Sequence, residues 1–184
     1  AQFVLIKQAS DSGDRGIEAD NNEVNHDSEP RAQPMLSNMT IIGRNGSAVQ
    51  GILLRRGTGA NLFNSVISGG FSSCLRIDGA STYANAGTIG SLSGELTIEN
   101  SFVNCTANFS DGDGATFTVS DWFTTQFGNQ VTNPMLSGYL PGAGSPLITG
   151  GAAVSDGFFT VVDYAGAFKD GNDDWTEEWT FPFN

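Results

Sequence analysis

The chain has 184 residues, enough for one domain with a real core, and carries 24 glycines and 13 phenylalanines with only 15% charged residues. Acidic groups outnumber basic ones, 20 against 8, for a formal net charge of −12 and a pI near 4.1; that field repels phosphate backbones and anionic membranes, and no basic patch offsets it, which excludes nucleic acid as a partner. No apolar run reaches membrane-spanning length, and two cysteines with a single histidine cannot complete a four-ligand zinc site.

Short β-branched or aromatic runs bounded by Gly, Asn, Asp or Ser, among them FVLIKQ, MTIIG, GILLRR, LTIENSFV, TFTV and FFTVV, predict an all-β chain. Residues 1–9 open directly as a strand with no signal peptide or capping helix before it, so export implies a signal already removed. An uncovered first coil exposes core and strand edges, so the expectation is either a piece of a longer protein or a coil that docks on something, another copy included. Residues 10–34 are a polar, acidic excursion containing one short strand, GIEAD. Strands are predicted over 39–42, 51–55 and 62–68, followed by CLRID (74–78), a loose loop over 79–94, and a strand over 95–103. After Phe109 the pattern predicts a strand and a short helix, with Ser120 as N-cap, Asp121 in its first turn and Gly128-Asn129 as its stop. The tail from Phe158 holds two of the three tryptophans and an acidic run, and its aromatics are expected to form a plate over the C-terminal end. One domain over 1–184 results, with coils over 1–109 and the last coils and cap over 110–184.

Three segments resemble one another: LSNMTIIG (36–43), LFNSVISGG (62–70) and IENSFVNC (98–105). Their asparagines, Asn38, Asn64 and Asn100, stand 26 residues (38 to 64) and 36 residues (64 to 100) apart, an interval that signals stacked coils. Equivalent residues of successive coils lie about 4.8 Å apart, so inward asparagines could bond amide to amide as a structural ladder. The competing reading is three unrelated turns. The longer second interval fits an insertion over 79–94 on one face. Cys74 and Cys105 are either a disulfide between neighbouring coils or two buried thiols, and only the oxidised form argues for export.

GIEADNN, PMLSNMTIIG, GILLRRGTGANLFNSVISGG, CLRIDG and LTIENSFVNC together resemble right-handed parallel β-helix proteins exported by Gram-negative bacteria, a group of uncharacterised surface proteins and lipoproteins. PGAGSPLITGGA resembles a turn near the last coils of such helices, and DYAGAFKDGNDDWTEEWT resembles a C-terminal ending of that group. The resemblance implies an all-β, right-handed parallel β-helix (solenoid) at the cell surface or outside the cell. It implies no activity and no catalytic or cofactor-binding residue.

The candidate chemistry is sparse. Arg55, Arg56 and Arg76 beside Asp78 could supply a lyase base, yet the adjacent Arg55 and Arg56 either point to opposite faces of a strand or sit at its turn, and an arginine more simply pairs with the acidic field. Asp111 and Asp113 sit on a Gly-rich loop that fixes no distance, while Glu95 and Glu99, four apart on a strand at about 3.3 Å per residue, are too far apart for a retaining glycosidase. His26 lies in a polar excursion without a serine nucleophile motif, so a triad is rejected. Asp170, Asn172, Asp174 and Glu177 in DGNDDWTEE are oxygen ligands of the type that suits Ca²⁺, against solvated acidic turns; Trp175 stands where an EF-hand needs Gly. The leading expectation is an extracellular structural rod that self-associates end to end into filaments or a surface layer. The alternative is a polysaccharide-binding or polysaccharide-cleaving β-helix, with sugars stacked on Tyr83, Trp122 or Tyr139.

Overall fold

A computed structural model describes residues 1–154, 156–178 and 180 of the chain. The chain alternates between two parallel sheets. The larger receives β1 (Gln2–Lys7), β3 (Met35–Gly43), β5 (Asn61–Phe63), β6 (Val66–Gly69), β8 (Thr97–Glu99), β9 (Phe102–Cys105) and β11 (Gln130–Val131). The smaller receives β2 (Ile17–Ala19), β4 (Gln50–Leu54), β7 (Ser73–Ile77) and β10 (Phe109–Asp111). β3 takes β1 along one edge; β5 and β6 pair with its two halves along the other. Every pairing in both sheets is parallel, as successive passes of a coiling chain require. The expected closed solenoid is not formed: the strands make two sheets joined by loops and helices, because the corner turns and a long insertion interrupt the ladders.

Alternation within each strand supplies the core. Met39 and Ile41 of β3, Ile67 of β6 and Val103 of β9 meet Ile52 and Leu54 of β4 and Leu75 and Ile77 of β7 in one buried cluster. Each such side chain contributes on the order of 2 kcal/mol by leaving water. The insertion after β7 is not a loose loop throughout, since α1 (Ala80–Ala86) drives Tyr83 and Ala86 into that cluster. α2 (Val119–Thr125) closes the last coil with Val119, Trp122 and Phe123. Its N-cap is Thr118, whose hydroxyl oxygen accepts the Asp121 N–H at 3.0 Å, and not Ser120, which lies inside the helix.

The recurring asparagines mark a corner. Strand register aligns Phe3, Asn38, Asn64, Asn100 and Gly128, with φ of 54°, 53°, 48°, 49° and 71°. This left-handed conformation is one that Asn and Gly tolerate best. At Gly128 a side chain is excluded twice over, because a Cβ would also stand 2.2 Å from Asn100 Oδ1. The expected amide-to-amide ladder is corrected in one respect: the asparagine side chains turn outward, and the ladder is carried by the next residue. Ser65 Oγ accepts the Met39 N–H (3.4 Å), Ser101 Oγ accepts the Ser65 N–H (3.1 Å), and Asn129 Oδ1 accepts the Ser101 N–H (2.9 Å).

What Asn38 and Asn64 hold is the C-terminal segment. Asn64 grips Ala152 with two bonds, Nδ2 to its carbonyl (2.8 Å) and Oδ1 from its N–H (2.9 Å), and Asn38 Nδ2 donates to Tyr164 O (2.9 Å). Gln2 pairs with Thr160 in both directions, and the Ala167 N–H donates to Thr40 Oγ1 at 2.9 Å. Beneath, Leu147 and Ala165 cover the outward side chains of Val66 and Phe102 in a second buried cluster. The tail is therefore a strap along the corner of the stack rather than a plate over its end. Tyr139, Phe168 and Trp175 pack together beside it, with ring centroids 5.3 Å apart in each successive pair. Trp179, Phe181 and Phe183 of the expected plate lie outside the described residues.

Candidate functional site: the polar sheet face and its terminal cleft

The outward face of the smaller sheet collects four of the eight basic residues. In register across the strands stand Glu18, Leu53, Arg76 and Ser110. One residue beyond the paired ends, backbone bonds from Arg55 N to Ala19 O and from Asp78 N to Leu54 O carry the stack on, which sets Asp20, Arg55 and Asp78 in a second row. Arg55 reaches Asp20 through Nε (2.9 Å) and Glu18 through Nη2. Arg56 meets the other oxygen of Asp20 (2.9 Å) and Glu23 (3.1 Å), while Arg15 meets Glu18 (3.0 Å). Of the two placements open to Arg55 and Arg56, opposite faces of a strand or its turn, the structure takes the turn: both meet Asp20, because β4 ends at Leu54 and φ of Arg56 is 52°. Arg76 bonds Asp78 (3.0 Å), Ser110 Oγ (2.9 Å) and the Asp111 carbonyl (3.2 Å). The Asp20 hydrogen bond holds the Arg55 guanidinium above its already high pKa despite burial, with the charges of Asp20, Glu18 and Asp78 adding to it.

The face ends in a cleft of about 500 Å³ between the loop after α1 and the loop before α2. Its lining combines apolar side chains, Ile89, Leu92 and Phe117, with polar ones, Asp111, Thr116, Thr118 and Asp121. Asp111 belongs to both features. Its carbonyl takes Arg76, and its Oδ1 accepts the Val119 N–H of α2 at 2.7 Å, which fixes a carboxylate that the sequence left unplaced on a glycine-rich loop. Phe117 is held edge-on by buried Tyr83, 5.2 Å between centroids. Across the cleft, Gln126 Nε2 bonds the Leu92 carbonyl and pins the insertion to α2.

The remaining candidates fall elsewhere. Cys74 and Cys105 form a disulfide with Cα atoms 5.4 Å apart, joining β7 of one sheet to β9 of the other. Asp170, Asn172, Asp174 and Glu177 do not converge: Asp170 Oδ1 accepts the Asn172 N–H (2.8 Å), and Asp174 accepts from Tyr139 OH (2.7 Å) and Thr176 Oγ1 (2.6 Å). Among the described residues no group of three or more His, Cys, Asp or Glu is placed to hold a metal ion. Tyr83 and Trp122 are fully buried, so neither ring can stack a sugar, and Tyr139 is engaged by Asp174. Glu95 is turned onto Arg31 (3.3 Å) and Gln33 (3.2 Å), and His26 contributes its backbone carbonyl to Asn21 and Arg31. No helix among the described residues is long and apolar enough to cross a membrane.

Parallel strands stacked in register, with polar side chains displayed along one sheet, define a protein of the parallel β-helix class. More narrowly, the chain belongs to the pectate-lyase-like β-helix domain family, whose model matches residues 1–180. No curated protein and no solved structure matches it.

Proposed function

We propose that the protein is an exported, right-handed β-helix that binds polysaccharide without cleaving it, along the polar face of the smaller sheet and into the cleft at its end. The observation that carries this reading is continuity: rows of fixed donors and acceptors, one strand apart, lead through Ser110 and Asp111 into a concave site with apolar side chains in its lining. Saccharides present hydroxyls on their edges and C–H groups on their faces, and this arrangement offers partners for both. The family membership supports it. The reading of binding rather than cleavage is supported along the sheet face by the ion pairing, which ties Asp20 to Arg55 and Asp78 to Arg76. Export fits the Cys74–Cys105 disulfide, and the right hand fits the crossover rule for parallel strands.

The test is calorimetric titration with soluble glycans of differing charge. Binding should occur, and Arg76→Ala should weaken it at least tenfold while the protein retains its far-ultraviolet spectrum. No binding to any glycan, or binding indifferent to both Arg76→Ala and Arg55→Ala, would overturn the proposal.

A further inference from the structure

The cleft's charge selects its sugar. We infer that it receives an amine-bearing sugar residue, a glycan with free amino groups, and turns uronates away; the inference rests on the saccharide reading above.

Both ionisable side chains in the lining are carboxylates, Asp111 and Asp121, and no cation lines the cleft. Asp111 spends Oδ1 on the Val119 N–H, leaving Oδ2 for a ligand, and Asp121 is exposed on the first turn of α2 with its carboxylate unbonded among the described residues. Arg76, which reaches the Asp111 carbonyl, is ion-paired with Asp78 at 3.0 Å, so the pair together brings no net positive charge to the cleft. A uronate entering here meets two like charges in a protein already at −12, whereas an ammonium meets two opposite ones. The rest of the lining includes Phe117, Leu92 and Ile89, the last 79% exposed, which suit the C–H face of a pyranose and not a small inorganic cation. Carboxylates and apolar side chains in one cleft together describe an amino sugar.

The experiment titrates the full chain with three oligosaccharides of equal length: oligoglucosamine, its fully N-acetylated form, and oligogalacturonate. Oligoglucosamine should bind at least tenfold more tightly than the other two, and the preference should shrink to threefold or less in Asp121→Asn. Glu178→Gln removes the same charge far from the cleft and should leave the preference intact; if it erodes the preference equally, the attraction is the general field of an acidic protein and the cleft assignment falls. Asp111→Asn, which retains an acceptor for Val119, gives a second reading should Asp121→Asn disturb α2. Equal binding of the amine and acetyl forms, or tighter binding of the uronate, overturns the inference while leaving saccharide recognition standing. Failure of all three, together with every glycan of the wider panel, removes the saccharide reading itself.

Discussion

At Asn64 a single side chain does two jobs, holding the backbone at φ 48° and binding Ala152 through both amide atoms. Asn64→Ala forfeits the bonds and places a Cβ residue with no local compensation in the left-handed region, about 3 kcal/mol in all. Asn64→Gly loses the bonds alone and should cost about 1 kcal/mol less, so urea denaturation should rank Gly above Ala, the reverse of their order in a helix. Asp174 supplies a pH-dependent counterpart. Burial pushes its carboxyl up, but hydrogen bonds from the hydroxyls of Thr176 and Tyr139 and from the Thr176 N–H outweigh burial and hold it below the ordinary aspartate value. A depressed folded pKa stabilises the protein above the unfolded value, and that contribution is lost as pH falls through the folded one. Tyr139→Phe removes one donor and raises the folded value, so acid unfolding followed by tryptophan fluorescence should begin at higher pH in the variant. The repeat was legible at this scale because a left-handed corner recurs in every coil and asparagine fits it. What Asn64 and Asn38 hold was not, since their partners Ala152 and Tyr164 are 88 and 126 residues away and carry no signal of their own.

The two helices separate what local sequence encodes from what it leaves to tertiary contact. α2 was readable from its polar start, although the cap chosen was two residues late: both Thr118 and Ser120 have the right chemistry, and only geometry decides between them; the helix also stops at Thr125 with Gln126 as its C-cap, short of the expected Gly128-Asn129, because Gly128 serves the coil corner instead. Thr118→Ala should destabilise by about 1 kcal/mol and Ser120→Ala by less than about 0.5, a difference that chemical denaturation resolves. α1 escaped prediction because its seven residues, ASTYANA, follow a glycine that provides no side-chain cap; burial of Tyr83 holds it in place. The polar face was half legible for a related reason. Arg55, Arg56, Arg76 and Asp78 stood out as charged residues, but their convergence depends on a positive φ at Arg56 that strand alternation does not anticipate. Between the elements, the Cys74–Cys105 bridge closes a 31-residue separation that contains α1 and the cleft's outer loop. On the chain-entropy account its loss costs about 3.5 kcal/mol. The Cys74→Ala/Cys105→Ala pair should lower the denaturant midpoint accordingly, and hydrogen exchange should show the largest increase over 79–96.

For the molecule as a whole, the decisive feature is that the segment between Leu147 and Ala167 folds back along the stack. From Leu147, packed on Val66 and Phe102, the chain reaches the first coil at the Gln2–Thr160 pair, then returns past Asn38 and Thr40. Residues distant in sequence thereby share one buried layer, and four coils are fastened by a segment that belongs to none of them. A plate over the last coil would protect that coil alone; a strap must couple its own opening to that of the first. Leu147→Ala discriminates the two, since Leu147 is 1% exposed and its truncation should cost about 2–5 kcal/mol. Native-state hydrogen exchange of this variant should lose protection together over 146–168 and at the coil corners near Asn38 and Asn64, because opening the strap uncovers the same apolar side chains in both. Loss confined to β9 and β11 would mean that the strap is held by its last contact only and that the first coils stand without it.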